Sequence, residues 1–244
     1  MGELSGKVAI VTGSSSGIGR AVAEGLARKG ATLVVHYGRS DAKALAVVAG
    51  IEREGGRAIA LQADIGIVAD VRRLFAEAEN RVGPLDILVN CAGVAAYKPI
   101  LAVTEEEFAA IFEVNARGTF FSMQEGARRV RDGGRIINIS TGGTVGGSAY
   151  ASVYCGSKAA VEQFTKSLAK EIGARNVTVN TVSPGFTDTE MLAAHPEFKA
   201  MGAQLSPFGR LGTPEEVAEV VLFLAGDGGR WVTGQNIQAG GGVA

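Results

Sequence analysis

Two cysteines, two histidines and one tryptophan in 244 residues exclude several kinds of chemistry at the outset. Cys91 and Cys155 cannot build a disulfide framework or a tetrahedral structural zinc site. His36 and His195 stand far apart, outside any ligand-spaced cluster, and read as surface or turn histidines, so no metal is expected. No apolar run reaches the ~18 residues of a membrane span, and residues 1–7 lack the apolar core of a signal peptide. An excess of one charge is missing too. The 24 basic and 25 acidic side chains leave a net charge of −1, whereas nucleic-acid binding draws on surplus Lys and Arg. The expectation is a cytoplasmic protein that partners neither nucleic acid nor membrane.

Glycine is what abounds: 35 residues, about twice the usual share of ~7%. The glycines fall singly at the ends of apolar runs, as tight turns require. Short continuous Val- and Ile-rich runs recur at residues 8–11, 33–35, 58–61, 87–89, 136–139 and 177–182. Continuous rather than alternating, they read as strands buried on both faces. Stripes with helical spacing separate them: Ile18, Val22 and Leu26; Val71, Leu74, Phe75, Ala78 and Val82; Phe108, Ile111, Phe112 and Val114; Val161, Phe164, Leu168 and Ile172. Thr213-Pro214-Glu215-Glu216 starts a further helix. This alternation predicts βαβ units, a parallel sheet with helices on both faces, and one α/β domain spanning 1–244. Residues 188–208, of mixed polarity, break the rhythm after the sixth strand and are the candidate substrate lid.

Directly after the first strand comes Thr12-Gly13-Ser14-Ser15-Ser16-Gly17-Ile18-Gly19. A glycine-rich strand-to-helix turn lets backbone amides approach a pyrophosphate, which then rests on the positive helix end. The second strand ends in His36-Tyr37-Gly38-Arg39-Ser40, and no acid occurs from Thr32 to Ser40 to hold a ribose diol. Arg39 and Ser40 instead offer a cation and a hydroxyl to a 2′-phosphate, a charged hydrogen bond being worth ~1.5–3 kcal/mol. NADP(H) is therefore expected over NAD(H). Asp41 could swing onto a ribose, or it or Ser40 could cap the next helix.

Tyr154 and Lys158 lie four residues apart, on one helix face. An ammonium there stabilises a phenolate and would lower a tyrosine pKa of ~10 toward neutrality. Tyr150 is a rival by type, without a lysine at the matching spacing, and could line the substrate mouth. Cys155 is turned about 100° from Tyr154 by helix geometry and reads as packing.

These motifs together resemble the short-chain dehydrogenase/reductase family, over essentially the whole chain: the T-G-x-x-x-G-x-G turn, Asn90-Cys91-Ala92-Gly93, Asn115, Ser140-Thr141, Tyr154-x-x-x-Lys158 and Ser183-Pro184-Gly185. Two departures stand out. Cys91 replaces the family's usual second asparagine, and Thr141 occupies the place of the carbonyl-orienting serine, with Ser140 one residue earlier. Either hydroxyl could serve; strand alternation favours Thr141, because Ser140 should point to the other face.

The resemblance implies a doubly wound (Rossmann) sheet and an oxidoreductase that interconverts a carbonyl and a secondary alcohol. Tyr154 would be general acid/base, Thr141 would orient the carbonyl, and Asn115 would hold a relay water for Lys158. Gly13, Ser15, Ser16, Gly17 and Ile18 would hold the pyrophosphate, and Tyr37, Arg39 and Ser40 the ribose phosphate. Asp64 and Ile65 would hold the adenine; Asn90, Ala92 and Gly93 the adenosine ribose; Pro184, Gly185, Phe186 and Thr189 the nicotinamide end. Tyr154 and Lys158 would also touch the cofactor. Within the family the chain most resembles 3-oxoacyl-thioester reductases, with sugar, steroid or diketone reduction, or a non-catalytic NADP-sensing scaffold, as alternatives. Arg117, Arg128, Arg129 and Arg131 would form an acyl-carrier docking patch only if they shared a face, and read more simply as a solvated helix end. A homotetramer is implied as well, with the apolar segment 234–244 buried at an interface.

Overall fold

The computed structural model describes residues 2–243, among which stand seven strands and ten α-helices. The strands, β1 (Val8–Thr12), β2 (Thr32–Tyr37), β3 (Arg57–Gln62), β4 (Ile87–Asn90), β5 (Arg135–Ile139), β6 (Thr178–Pro184) and β7 (Asn236–Ala239), form one sheet. Its order is β3-β2-β1-β4-β5-β6-β7, and every neighbouring pair is parallel. The helices connect and flank the strands: α1 (Gly17–Arg28), α2 (Asp41–Arg53), α3 (Val68–Val82), α4 (Glu105–Phe112), α5 (Thr119–Arg129), α6 (Gly143–Gly146), α7 (Ser152–Ile172), α8 (Glu190–Ala193), α9 (Pro196–Leu205) and α10 (Pro214–Ala225).

The continuous apolar runs are explained by two cores, one on each face of the sheet. Ala9, Val11, Leu33, Val35, Val89 and Ile137 face α1, α2 and α10. Their alternate neighbours Ile10, Val34, Leu88 and Ile136 face α3, α5 and α7. Strands covered on both sides have no position at which a polar residue is cheap, so the period-2 signal vanishes. Helix starts follow local chemistry: Thr104 and Thr213 each close a capping box with a glutamate three residues on, at the heads of α4 and α10.

The apolar end supplies β7, which pairs in register with β6 as an edge strand. The 188–208 segment holds two helices, α8 and α9, with His195 at the N-cap of α9. No helix is long and apolar enough to cross a membrane among the described residues.

Candidate active site

Strand connectivity reverses between β1 and β4, and a parallel sheet opens a crevice beyond the carboxyl ends of its strands at such a point. The glycine-rich turn stands there. Gly13 has φ +67°, and a Cβ on it would lie 2.8 Å from the Cα of Ala92. Only glycine allows both that conformation and that approach. The Thr12 hydroxyl accepts from the amides of Cys91 (3.0 Å) and Ala92 (3.1 Å), tying the turn to the end of β4. Ser16 occupies the N-cap of α1 without a capping hydrogen bond from its side chain. Ser15, Gly17 and Ile18 are partly exposed around it, leaving the positive end of a 12-residue helix open to the crevice. Thr189, at the head of α8, closes the opposite wall, with its methyl 3.4 Å from the place of a Cβ on Gly17.

His36 corrects the sequence reading. It is no surface histidine but only 2% exposed in the middle of the sheet. Its Nδ1 accepts from the Gly13 amide at 2.9 Å, so Nε2 carries the proton and donates to the Ala63 carbonyl at 3.0 Å. Burial holds its pKa down at about 4. The ring thus pins the phosphate turn to the ends of β2 and β3. No local signal pointed to it; the contact joins three strands.

On the adenosine side, Tyr37 is partly buried and Arg39 exposed, and no carboxylate lies within 4.0 Å of Arg39 among the described residues. Ser40 sits at the N-cap of α2 with no capping bond from its hydroxyl, while the Asp41 carboxylate accepts from the Ala42 amide. Asp64 accepts from the Gly66 amide, and Ile65 is buried behind it. The Asn90 side chain is buried, donating to Asn138 at 2.8 Å and accepting from Ser122 at 2.5 Å, while Ala92 and Gly93 after it are partly exposed.

Asn115 lies in a wide π turn, Glu113–Gly118, between α4 and α5. Such turns aim side chains off the regular helical register. Its Oδ1 accepts from the Val94 amide, and its Nδ2 donates to the Val94 carbonyl and to Ser157. Both its Oδ1 and the Lys158 Nζ lie 3.2 Å from the place of a Cβ on Gly93. Lys158, 4% exposed, donates to the Ile139 carbonyl at 2.9 Å, and burial holds its pKa down at about 8.

Thr141 and Ser140 face opposite sides. The Ser140 hydroxyl donates to Glu162 on α7, whereas the Thr141 side chain lies toward the Tyr154 phenol. The lowered tyrosine pKa expected from Lys158 is not found: burial, reinforced by Tyr97 and Cys155, pushes Tyr154 above its ordinary value, and the nearby Thr141 hydroxyl offsets only part of this. Lys158 spends its charge on the Ile139 carbonyl.

The residue beside Tyr154 is Tyr97, from the loop after β4, and sequence reasoning missed it. The two rings are 6.1 Å apart, and Tyr97 meets His195 and Phe198 of the α8–α9 segment edge-on, each at 4.8 Å. Tyr150, the expected rival, is exposed and has φ +67°. Phe186 packs under Gly202 of α9, Pro184 ends β6, and Gly185 lies against Gly240. Burial pushes Cys91 up to about 11 and raises Cys155, so neither thiol is a ready nucleophile. Arg128 and Arg129 pair with Glu125, Arg129 also with Glu79, and Arg131 with Asp86, so three of the four candidate docking arginines are already neutralised.

Comparison with known proteins places this arrangement. A family model described as enoyl-(acyl carrier protein) reductase matches residues 13–244. An uncharacterised oxidoreductase of Methylorubrum extorquens is 44% identical over the full length of both chains. A hydroxynaphthalene reductase-like protein of Metarhizium brunneum is 41% identical, with 98% of this chain and 96% of the relative aligned. Among solved structures, an angucycline C-6 ketoreductase with bound NADP superposes with a TM-score of 0.95 at 43% identity, covering 99% of this chain and 97% of the other. A landomycin C-6 ketoreductase holding NADP and rabelomycin superposes at 0.92 with 42% identity, over 99% and 98% of the two chains.

Proposed function

The chain belongs to the short-chain dehydrogenase/reductase family, and from that premise we propose that it reduces a ring ketone flanked by aromatic rings. It is an oxidoreductase that uses NADP(H). The fit is seen in the open helix end at Ser16, the glycine cradle at Gly13 and Gly17, and the unpaired Arg39 beside the free Ser40 hydroxyl. The single observation behind the substrate class is the aromatic wall of Tyr97, His195 and Phe198 against Tyr154, since flat rings gain about 0.5–1.5 kcal/mol from such edge and face contacts beyond area burial. The relatives named for hydroxynaphthalene and angucycline reduction point to the same class.

NADPH, when bound, supplies the hydride. Thr141 orients the carbonyl oxygen, and Tyr154 gives it a proton as negative charge develops there. At neutral pH the Tyr154 phenol, its pKa raised by burial, carries the proton that reduction requires. Lys158 binds ribose hydroxyls near Gly93 and, once the proton has left, steadies the phenolate; its Nζ at 3.2 Å from the place of a Cβ on Gly93 supports the first of these roles. Asn115 Oδ1 and Lys158 Nζ both border Gly93, which supports a relay water between them. The α8–α9 segment serves as the substrate lid, carrying His195 and Phe198 onto Tyr97 and tethered to α2 by Lys43 and Glu190 at 2.6 Å. Exposed Phe108, Phe120, Phe223 and Trp231 support a homotetramer, and two free thiols suit a reducing cytoplasm.

A 3-oxoacyl thioester is the second reading; the description of the matching family model shares with it the acyl carrier protein but names an enoyl group, and the paired arginines weaken it. The test follows NADPH absorbance with 2-tetralone and with an acetoacetyl thioester, with Tyr154→Phe as control. Faster turnover of the tetralone, lost in the variant, is expected. Turnover of the thioester alone would replace the ring-ketone reading by the second one.

A further inference from the structure

Beyond Ile139 the chain leaves β5 and turns through Ser140, Thr141, Gly142, Gly143 and Thr144 into the short α6. Toward β6 this turn is held by backbone alone: Ser140 donates to the Val182 carbonyl at 2.8 Å and Gly142 to that of Pro184 at 2.7 Å. Nothing in these bonds fixes where the Thr141 side chain is aimed.

A carboxylate stands on the side of the turn opposite Thr141, the one that Ser140 faces. Glu162, partly buried on α7, is one helical turn beyond Lys158, on the face that packs against β5. Its Oε1 accepts from the Ser140 hydroxyl at 2.6 Å and from the Thr144 hydroxyl at 2.6 Å. Thr144 Oγ1 also lies 2.9 Å from the Thr141 carbonyl, and Thr141 Oγ1 takes the Gly143 amide at 3.3 Å. One oxygen therefore gathers the hydroxyls on both sides of Thr141 in sequence, while Thr141 itself faces Tyr154. Hydrogen bonds to a charged acceptor are shorter and roughly twice as strong as neutral ones, and these lie at that short length. Lys158 is committed to Ile139 and forms no ion pair with Glu162.

We infer that Glu162 is a positioning residue, whose carboxylate clamps the turn so that the Thr141 hydroxyl is held at the carbonyl-binding geometry. The inference rests on the reading of Thr141 given above. An error of about 1 Å in placing a catalytic group costs on the order of 100-fold in rate, so the loss of both hydroxyl contacts falls on turnover rather than on cofactor binding.

The test measures kcat, ketone KM and NADPH affinity for Glu162→Ala, Glu162→Gln, Thr141→Ala and wild type, together with amide hydrogen exchange of the peptide covering 140–146. Glu162→Ala is expected to lower kcat about 10- to 100-fold, leave the NADPH Kd within about twofold and speed exchange in that peptide. Glu162→Gln, whose amide oxygen can still accept from both hydroxyls, should recover most of the rate and the protection. A Glu162→Ala enzyme of wild-type kcat, with Thr141→Ala crippled, overturns the clamp and leaves the Thr141 reading standing. A glutamine variant as slow as alanine overturns it too, since charge and not the hydrogen bonds would then matter. Wild-type kcat in Thr141→Ala refutes the underlying reading and the inference with it. Where Glu162→Ala does not fold, Ser140→Ala and Thr144→Val each remove one donor; unchanged exchange and kcat in both refute the clamp. Hydrogen exchange reads the clamp with or without a reactive ketone.

Discussion

Acid should weaken this protein through one imidazole. His36 is neutral when folded, because its Nδ1 takes the Gly13 amide and burial penalises the cation, so its pKa falls from 6.5 to about 4. The unfolded chain binds a proton below about 6.5 and the folded chain does not, so stability from this group is complete above that pH and is lost as pH falls toward 4. At roughly 1.36 kcal/mol per pH unit the whole loss is about 3 kcal/mol, of which about 2 kcal/mol is gone by pH 5. That is a large share of a typical margin of ~5–15 kcal/mol. His36→Gln supplies the comparison. Its amide nitrogen can replace Nε2 toward Ala63, it cannot titrate, and it forfeits the Gly13 contact. The variant should be less stable than wild type at pH 7.5, by roughly 1–2 kcal/mol for one lost buried hydrogen bond. The gap should close as pH falls and vanish near pH 5. Urea unfolding followed by far-UV circular dichroism at four pH values, with protein concentration fixed and no nucleotide, reads it. A difference between wild type and variant that stays constant from pH 7.5 to 5 would refute the burial argument.

Arg39→Ala should weaken NADPH binding about 10- to 100-fold, the worth of a charged hydrogen bond, with NADH affinity nearly unmoved; equal losses for both, measured by fluorescence titration, would remove Arg39 from the 2′-phosphate. Ketone reduction should hold steady through neutral pH, because Tyr154 stays protonated, and decline above about 8 as Lys158 loses its charge. A kcat/KM profile flat to pH 10 would contradict the lysine part of that reasoning. Gly118→Ala puts a Cβ 2.4 Å from the Ile65 carbonyl oxygen, in backbone that cannot swing aside, and should cost about 1–3 kcal/mol, seen as a lower urea midpoint at unchanged slope.

The sequence by itself determined the architecture. Continuous Val and Ile runs alternating with amphipathic stripes can bury both kinds of element only in a parallel sheet covered on two sides, and Ala9, Ile10 and Val11 take opposite faces as that requires. It also determined that Tyr154 and Lys158 share a helix face and that Gly13 to Gly19 form a tight strand-to-helix turn, because those depend on spacing within one element. β7 was not legible: Asn236-Ile237-Gln238-Ala239 is four residues long, flanked by glycine, and becomes a strand only against β6. Tertiary structure alone decided that His36 reaches Gly13, that Tyr97 rather than Tyr150 stands by Tyr154, and that Arg131 is spent on Asp86. It also decided that burial outweighs Lys158 at the tyrosine. Each of these is a contact or an energy between segments remote in the chain, set by which strand lies beside which, and no local periodicity carries that information.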